Sequence, residues 1–218
     1  QTETVNLAPT AISITPATSY TICLGSSASP TASSNQPAPT VLIDQDFNSG
    51  MTGAVGGTWT VSNTGGASAY NWAITSAPGY YDEYFPGDGT PFMNADADAA
   101  GSSATLITSL LSPSFSTVGL SEVDLSFNYY CLSSSWYDYN AEIDYSTDGG
   151  STWHLVYDYW NNYGSGSSSW TAGSPDQTIS LPSGALGQAR VKLRWYYYSN
   201  WGYYWVVDNI VVSSPPGP

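Results

Sequence analysis

The chain is short of positive charge, of histidine and of thiols, and each shortage excludes a class of function. Three bases, Arg190, Lys192 and Arg194, stand against 17 acids, for a formal net charge of −14. Such a surface repels phosphate backbones, so nucleic acid is excluded as a partner. An anionic lipid surface is excluded on the same ground. The one histidine, His154, lies beside Trp153 in a strand-like run and reads as structural rather than as a general base. No G-x-S-x-G elbow, HExxH pair or cysteine cluster occurs. Carboxylate pairs of glycosidase type arise by chance among 17 acids, so no catalytic residue is assigned.

Long apolar runs are also missing. No stretch of about 18 apolar residues occurs, so no segment reads as a membrane span, and no helix of useful length can be drawn. Only Cys23 and Cys131 carry thiols. In an exported protein they are a candidate disulfide, with buried thiols as the alternative. The sequence opens at Gln1 and lacks any Asn-x-Ser/Thr sequon. These features lead us to expect a mature bacterial protein, extracellular or at the cell surface, after removal of a signal peptide.

What is abundant points to strands. The 218 residues include 18 Tyr and 9 Trp, with only 9% charged residues, about a third of the usual share. Tyr and Trp pack well on pleated, half-buried surfaces. Gly and Pro clusters punctuate short apolar runs at sandwich spacing.

Residues 1–40 differ from the rest. Two β-like runs, 10–14 and 19–24, precede a Ser/Pro/Ala stretch over 25–40 that reads as a stiff extended connection. Two strands alone are marginal in water, so Ile12, Ile14, Tyr20 and Ile22 are expected to lean on something else. Residues 41–213 read as one all-β domain, with 214–218 as a tail. Its strand-like runs are 41–47, 58–62, 70–75, 105–111, 122–130, 142–145, 152–157, 177–181, 189–197 and 204–212, whereas 77–100 reads as a loop. Residues 122–130 alternate cleanly, with Val123, Leu125, Phe127 and Tyr129 on one face. The Asp148-Gly149 pair marks a hairpin turn. The three bases share one strand face, as do Glu142 with Asp144 and Glu122 with Asp124. If those strands are neighbours, the polar faces form a charge ladder.

Asp46-Phe47, Trp59, Leu111-Ser112-Pro113 and Val123–Phe127 carry a resemblance, together with the Ser146–Trp153 hairpin, Val191–Trp195 and Trp205–Ile210. In that order they resemble the MAM-like jelly-roll superfamily that includes the cleaved-adhesin and choice-of-anchor domains of secreted bacterial proteins. The resemblance spans about residues 41–213. It implies a jelly-roll β-sandwich of two antiparallel sheets with an N-terminal β-arm. The arm itself is similar to the opening strands of an immunoglobulin-like repeat. The resemblance also implies Ca²⁺, with Asp46 and Asp208 matching first and last strand positions. Asn94, Asp96 and Asp98 add hard oxygen donors of the kind Ca²⁺ takes.

Aromatic clusters exceed what one core needs. Trp136, Tyr137, Tyr159, Trp160, Trp201 and Tyr203 are candidate ligand or interface rings, because Tyr and Trp stack on sugars and anchor protein contacts. Two non-catalytic functions follow. The first expectation is a surface subunit that assembles into a filament or layer, its arm adding a strand to a neighbouring copy or another surface protein. The alternative is a Ca²⁺-stabilised carbohydrate-binding adhesion module that takes a glycan on its exposed aromatics.

Overall fold

A computed structural model describes residues 12–15, 31–34, 38–75, 89–102, 104–132, 138–159, 170–171 and 177–216. Residues 41–214 form one compact unit, and residues 1–40 with 215–218 form another. Each is described by itself.

In the N-terminal unit, β1 (Ile12–Thr15) pairs antiparallel with β2 (Thr31–Ser34), Ile12 opposite Ser34 and Ile14 opposite Ala32. The second strand lies inside the stretch that the sequence presents as a connection. Its Thr-Ala-Ser-Ser side chains carry no hydrophobic period, yet no proline interrupts its ladder hydrogen bonds. Tyr20, Ile22 and Cys23 lie outside the described residues.

The larger unit is built of β3 (Thr40–Gln45), β4 (Thr60–Asn63), β5 (Ala73–Thr75), β6 (Phe92–Asp96), β7 (Thr105–Leu111), β8 (Asp124–Leu132), β9 (Asp138–Ser146), β10 (His154–Asp158), β11 (Trp170–Thr171), β12 (Gln177–Ser180), β13 (Lys192–Asn200) and β14 (Tyr204–Ser214). A single turn of helix, α1 (Ala97–Ala100), follows β6. A five-stranded sheet runs β10-β9-β13-β7-β4. A seven-stranded sheet runs β11-β8-β14-β6-β5, with β12 also on β8 and β3 on β14. The two form the antiparallel sandwich that the strand periodicity leads one to expect. One segment departs from that reading. Residues 92–96 lie in what the Gly, Pro and Asp content marks as a loop, yet β6 pairs with both β5 and β14.

The inner faces come from period-two alternation. Leu193, Trp195 and Tyr197 of β13 and Leu125, Phe127 and Tyr129 of β8 belong to one core. Phe127 meets Trp195 edge-on across the sandwich at 5.8 Å, and Trp195 packs on Trp59 at 5.5 Å. Such ring pairs add about 0.5–1.5 kcal/mol each beyond burial. Strand β14 changes phase at a bulge between Asp208 and Val211. Trp205 and Val207 face inward before it, and Ile210 and Val212 after it. The bulge residue Asn209 has φ 50°, a left-handed conformation that Asn tolerates better than most residues. Its amide donates to Asn128 Oδ1 at 3.0 Å, and its backbone N–H to Asp208 Oδ1 at 2.8 Å.

Candidate ligand face

The alternation that buries Trp195 and Tyr197 turns Arg194, Tyr196 and Tyr198 to the outer face of the five-stranded sheet. Register sets their neighbours. Arg194 lies opposite Asp144, Tyr196 opposite Glu142 and Tyr198 opposite Asn140 on β9. On the other side, Tyr196 and Tyr198 lie opposite Ser109 and Ile107 of β7. Asp158 of β10 lies opposite Glu142. Tyr139, 46% exposed, packs on Tyr198 with ring centroids 4.6 Å apart. This pair presents aromatic surface to solvent among amide, hydroxyl and carboxylate groups.

Arg194 organises the centre of the face. Its Nε donates to Asp144 Oδ2 at 2.7 Å. Its guanidinium also lies over the Trp153 ring at 4.6 Å and the Tyr196 ring at 4.7 Å. Trp153 reaches this position from the hairpin turn after β9. There, Asp148 accepts from Ser146 Oγ, from the Ser151 and Thr152 backbone N–H groups, and from Thr152 Oγ1. The bonds from Thr152, with those from Ser146 and Ser151, favour the ionised form and hold the Asp148 carboxyl well below the usual carboxylate range.

The expected charge ladder contracts to one ion pair among the described residues. Lys192 lies opposite Ser146, and Tyr196 rather than a base faces Glu142. Asp124 sits on the other sheet, where it accepts from Ser180 Oγ. Burial raises the Glu142 carboxyl, aided by the charges of Asp144 and Asp158 and opposed by a hydrogen bond from Asn140. Burial also raises Asp144, against the lowering effect of Arg194.

The candidate rings chosen from sequence divide three ways. Tyr159 is core: it is 1% exposed and packs on Tyr129, Tyr157 and Trp205. Its hydroxyl donates to Gln177 Oε1. Trp201 is 42% exposed and, with Asp98, Gly202 and Tyr203, lines an open recess beside α1. Tyr203 is half-buried against a cluster of Phe92, Tyr130, Tyr204 and Val206. Trp136, Tyr137 and Trp160 lie outside the described residues. Tyr139 and Tyr198 stand in the aromatic clusters of the sequence, 136–139 and 196–198, but not among the six rings chosen from them. Extending the β13 alternation from Arg194 to Tyr196 and Tyr198 is the signal that places Tyr198 outside.

The five expected Ca²⁺ donors take separate local roles. Asp46 accepts from the backbone and side-chain amides of Asn48. Asp96 caps α1 through the Ala99 N–H at 2.9 Å, and burial raises its carboxyl. Asp98 lines the Trp201 recess. Asn94 lies opposite Val206 and Ala73. Asp208 is buried at the β14 bulge. Among the described residues no three His, Cys, Asp or Glu side chains converge as a metal site. Cys131 is buried in the core on β8, and its pairing with Cys23 is not placed, because Cys23 lies outside the described residues.

Solved structures resemble this chain at the level of the fold. The K1 cleaved adhesin domain of Lys-gingipain from Porphyromonas gingivalis W83 superposes with a TM-score of 0.53 at 14% identity, over 80% of this chain and 98% of that one. The K3 cleaved adhesin domain of the same protein gives 0.53 at 12% identity, over 80% and 100%. The shared property is the fold. A looser overlap, TM-score 0.47 at 12% identity, covers 78% of this chain and 94% of TmCBM61, whose structure contains β-1,4-galactotriose. No family model and no curated protein matches the sequence. Among the described residues no helix is long and apolar enough to cross a membrane.

Proposed function

We propose that this chain is a non-catalytic extracellular adhesion module that binds a glycan on the outer face of its five-stranded sheet. The observation that carries the reading is the Tyr139–Tyr198 ring pair, open to solvent at Tyr139. A sugar ring presents C–H groups on one face and hydroxyls around its rim. The tyrosine pair offers a flat apolar surface for the first. Asn140, Glu142 and Ser109 are register neighbours that suit the second. Trp201, exposed beyond the end of β13, is a second ring available to a longer chain. The cleaved-adhesin fold supports the reading only as a scaffold, since function belongs to sites rather than folds.

Affinity electrophoresis against neutral and amino-sugar polysaccharides, followed by calorimetry on any hit, tests this. Retardation that disappears in Tyr198→Ala supports the proposal. Unchanged migration in every gel overturns it.

Assembly through the arm is the weaker reading. Its motive is a two-stranded arm too small to bury its own apolar groups; β1 pairs with β2, and the second expected arm strand, 19–24, lies outside the described residues. A MAM-like relationship, an immunoglobulin-like origin for residues 1–40 and a bacterial cell-surface location stay within the proposal on the residues that suggest them. Ca²⁺ is a separate part of it, resting on Asp46, the residue after β3, and Asp208, at the bulge within its neighbour β14. These two carboxylates would need backbone carbonyls to complete an oxygen shell. A rise in melting temperature on adding Ca²⁺ to chelated protein, absent in Asp208→Asn, supports it. An identical melt with and without Ca²⁺ removes it.

A further inference from the structure

We propose that the tyrosine platform prefers glycans bearing free amino groups, such as glucosamine units, and rejects uronate-bearing or sulfated ones. This rests on the glycan reading above and adds the chemical class of the ligand.

Negative charge lies close to the rings. Tyr196 and Tyr198 are two residues apart on one strand, about 6.6 Å at the usual rise. Glu142 is the direct cross-strand neighbour of Tyr196, which puts the two Cβ atoms about 5 Å apart. Its carboxylate therefore lies within roughly one sugar ring of the Tyr139–Tyr198 stack. Asn140 orients it by donating to Oε1. Asp158, opposite Glu142 on β10, adds a second negative charge on the same face.

The bases on this face are placed differently. Arg194 already holds Asp144 and lies over two rings, so its guanidinium is committed within the protein. Lys192 is six residues from Tyr198 along β13, about 20 Å away at the usual rise. That is twice the screening length of about 10 Å at 0.1 M salt. Arg190, two residues further back, precedes the strand. The carboxylate nearest the stack is thus Glu142, with Asp158 behind it on β10 and Asp144 held by Arg194. An incoming carboxylate or sulfate meets repulsion there, with every base either committed or beyond the screening length. An ammonium meets the Glu142 carboxylate and the faces of electron-rich rings, an arrangement that also favours cation–π contact. The chain's net charge of −14 acts in the same direction at longer range.

The occupant is a glycan rather than a basic protein because the stack offers a flat, ring-sized surface. Adsorption of a basic protein would need only the charge. The two are separable by experiment. The intact chain is titrated by calorimetry with a glucosamine hexamer, its N-acetylated counterpart, a neutral xylan hexamer, polygalacturonate and polylysine, at a pH where the amines are protonated. The hexamer of free amines is expected to bind at least tenfold more tightly than its acetylated form. That preference should shrink as salt rises from about 50 to 500 mM and vanish in the double variant Glu142→Gln/Asp158→Asn. Polygalacturonate should not bind.

Equal affinity for the free and acetylated hexamers overturns the inference while leaving the glycan reading intact. So does a preference that survives the double variant. Polylysine binding as tightly as the amino sugar and indifferent to Tyr198→Ala overturns it in favour of a basic protein surface. Absence of binding to every saccharide overturns the glycan reading as well. Since both substitutions are near-isosteric, a melting curve like that of the parent chain verifies that the fold persists.

Discussion

Replacing Arg194 with Met keeps much of the length and apolar stem of the side chain and removes the guanidinium. The partner left behind is Asp144, whose side chain is 5% exposed against 22% for Arg194. Stripping one partner from a fully buried pair costs about 3–5 kcal/mol, because the other charge stays desolvated. The partial exposure of Arg194 lowers that to about 2 kcal/mol. Losing the contacts over Trp153 and Tyr196 adds about 0.5 kcal/mol each. The expected total is about 3 kcal/mol, or about 6–12 °C in melting temperature for a unit of this size. Adding Asp144→Asn should recover roughly half of the loss, since the uncompensated charge is then gone. Calorimetric melts of the parent, both singles and the double variant at pH 7 complete the cycle. At pH 4 the deficit of Arg194→Met should shrink, because an unpaired Asp144 takes up a proton. A deficit below about 1 kcal/mol, or one equal at both pH values, would show that Asp144 is not held in a desolvated site.

The hairpin turn gives a second prediction. Gly150 has φ +102°, and a Cβ there would stand 3.2 Å from Trp153 Cζ2. Gly150→Ala is expected to cost about 1–2 kcal/mol from backbone strain, and to shift tryptophan emission by tilting Trp153 off Arg194. Unchanged stability and emission would contradict that packing. The pH dependence of stability has two opposing parts. Glu142 and Asp144 have raised folded-state pKa values, so their contribution is present below the unfolded carboxylate range and is lost as pH rises through the folded values. Asp148 is lowered, so its contribution is present above the unfolded value and is lost as pH falls. Urea unfolding from pH 3 to 8 should place maximal stability on the acid side of neutrality. Glu142→Gln should flatten the decline toward pH 8, and Asp148→Ala the decline toward pH 3. A parent chain most stable at pH 8 would show the assigned directions to be wrong.

Much of the sandwich is legible in the sequence because alternation is a local property. The run 105–111 coincides with β7, and the Asp148-Gly149 turn lies where the dipeptide marks it. β6 is not legible. Only Met93 and Ala95 of its five residues face the main core, and the Gly, Pro and Asp around them mask a two-residue period. β2 escapes for a similar reason, its side chains being small and polar. Register is hidden too. That Glu142 faces Tyr196 and not a base depends on how β9 and β13 align, which no single strand encodes.

The candidate site shows the same division. Trp201 reads as an exposed ring and is one. Tyr159 reads as a ligand ring because of its neighbours Tyr157 and Asp158, but the β10 bulge between Leu155 and Tyr157 shifts the phase of the strand end. Tyr159 then points into the core, against Trp205. Tyr198 is within reach of sequence reasoning if the β13 alternation is carried onward from Arg194. Its stacking on Tyr139 is not, because that contact spans two strands.

The most direct measurement is the affinity of the intact chain for a neutral oligosaccharide, compared with that of Tyr139→Ala, Tyr198→Ala and the double variant. Loss of each ring should weaken binding about five- to thirtyfold, the scale of one good aromatic contact at about 1–2 kcal/mol. The double loss should be less than additive, because the two rings act as one surface. Full affinity in the double variant, in a protein that still melts like its parent, would contradict the account.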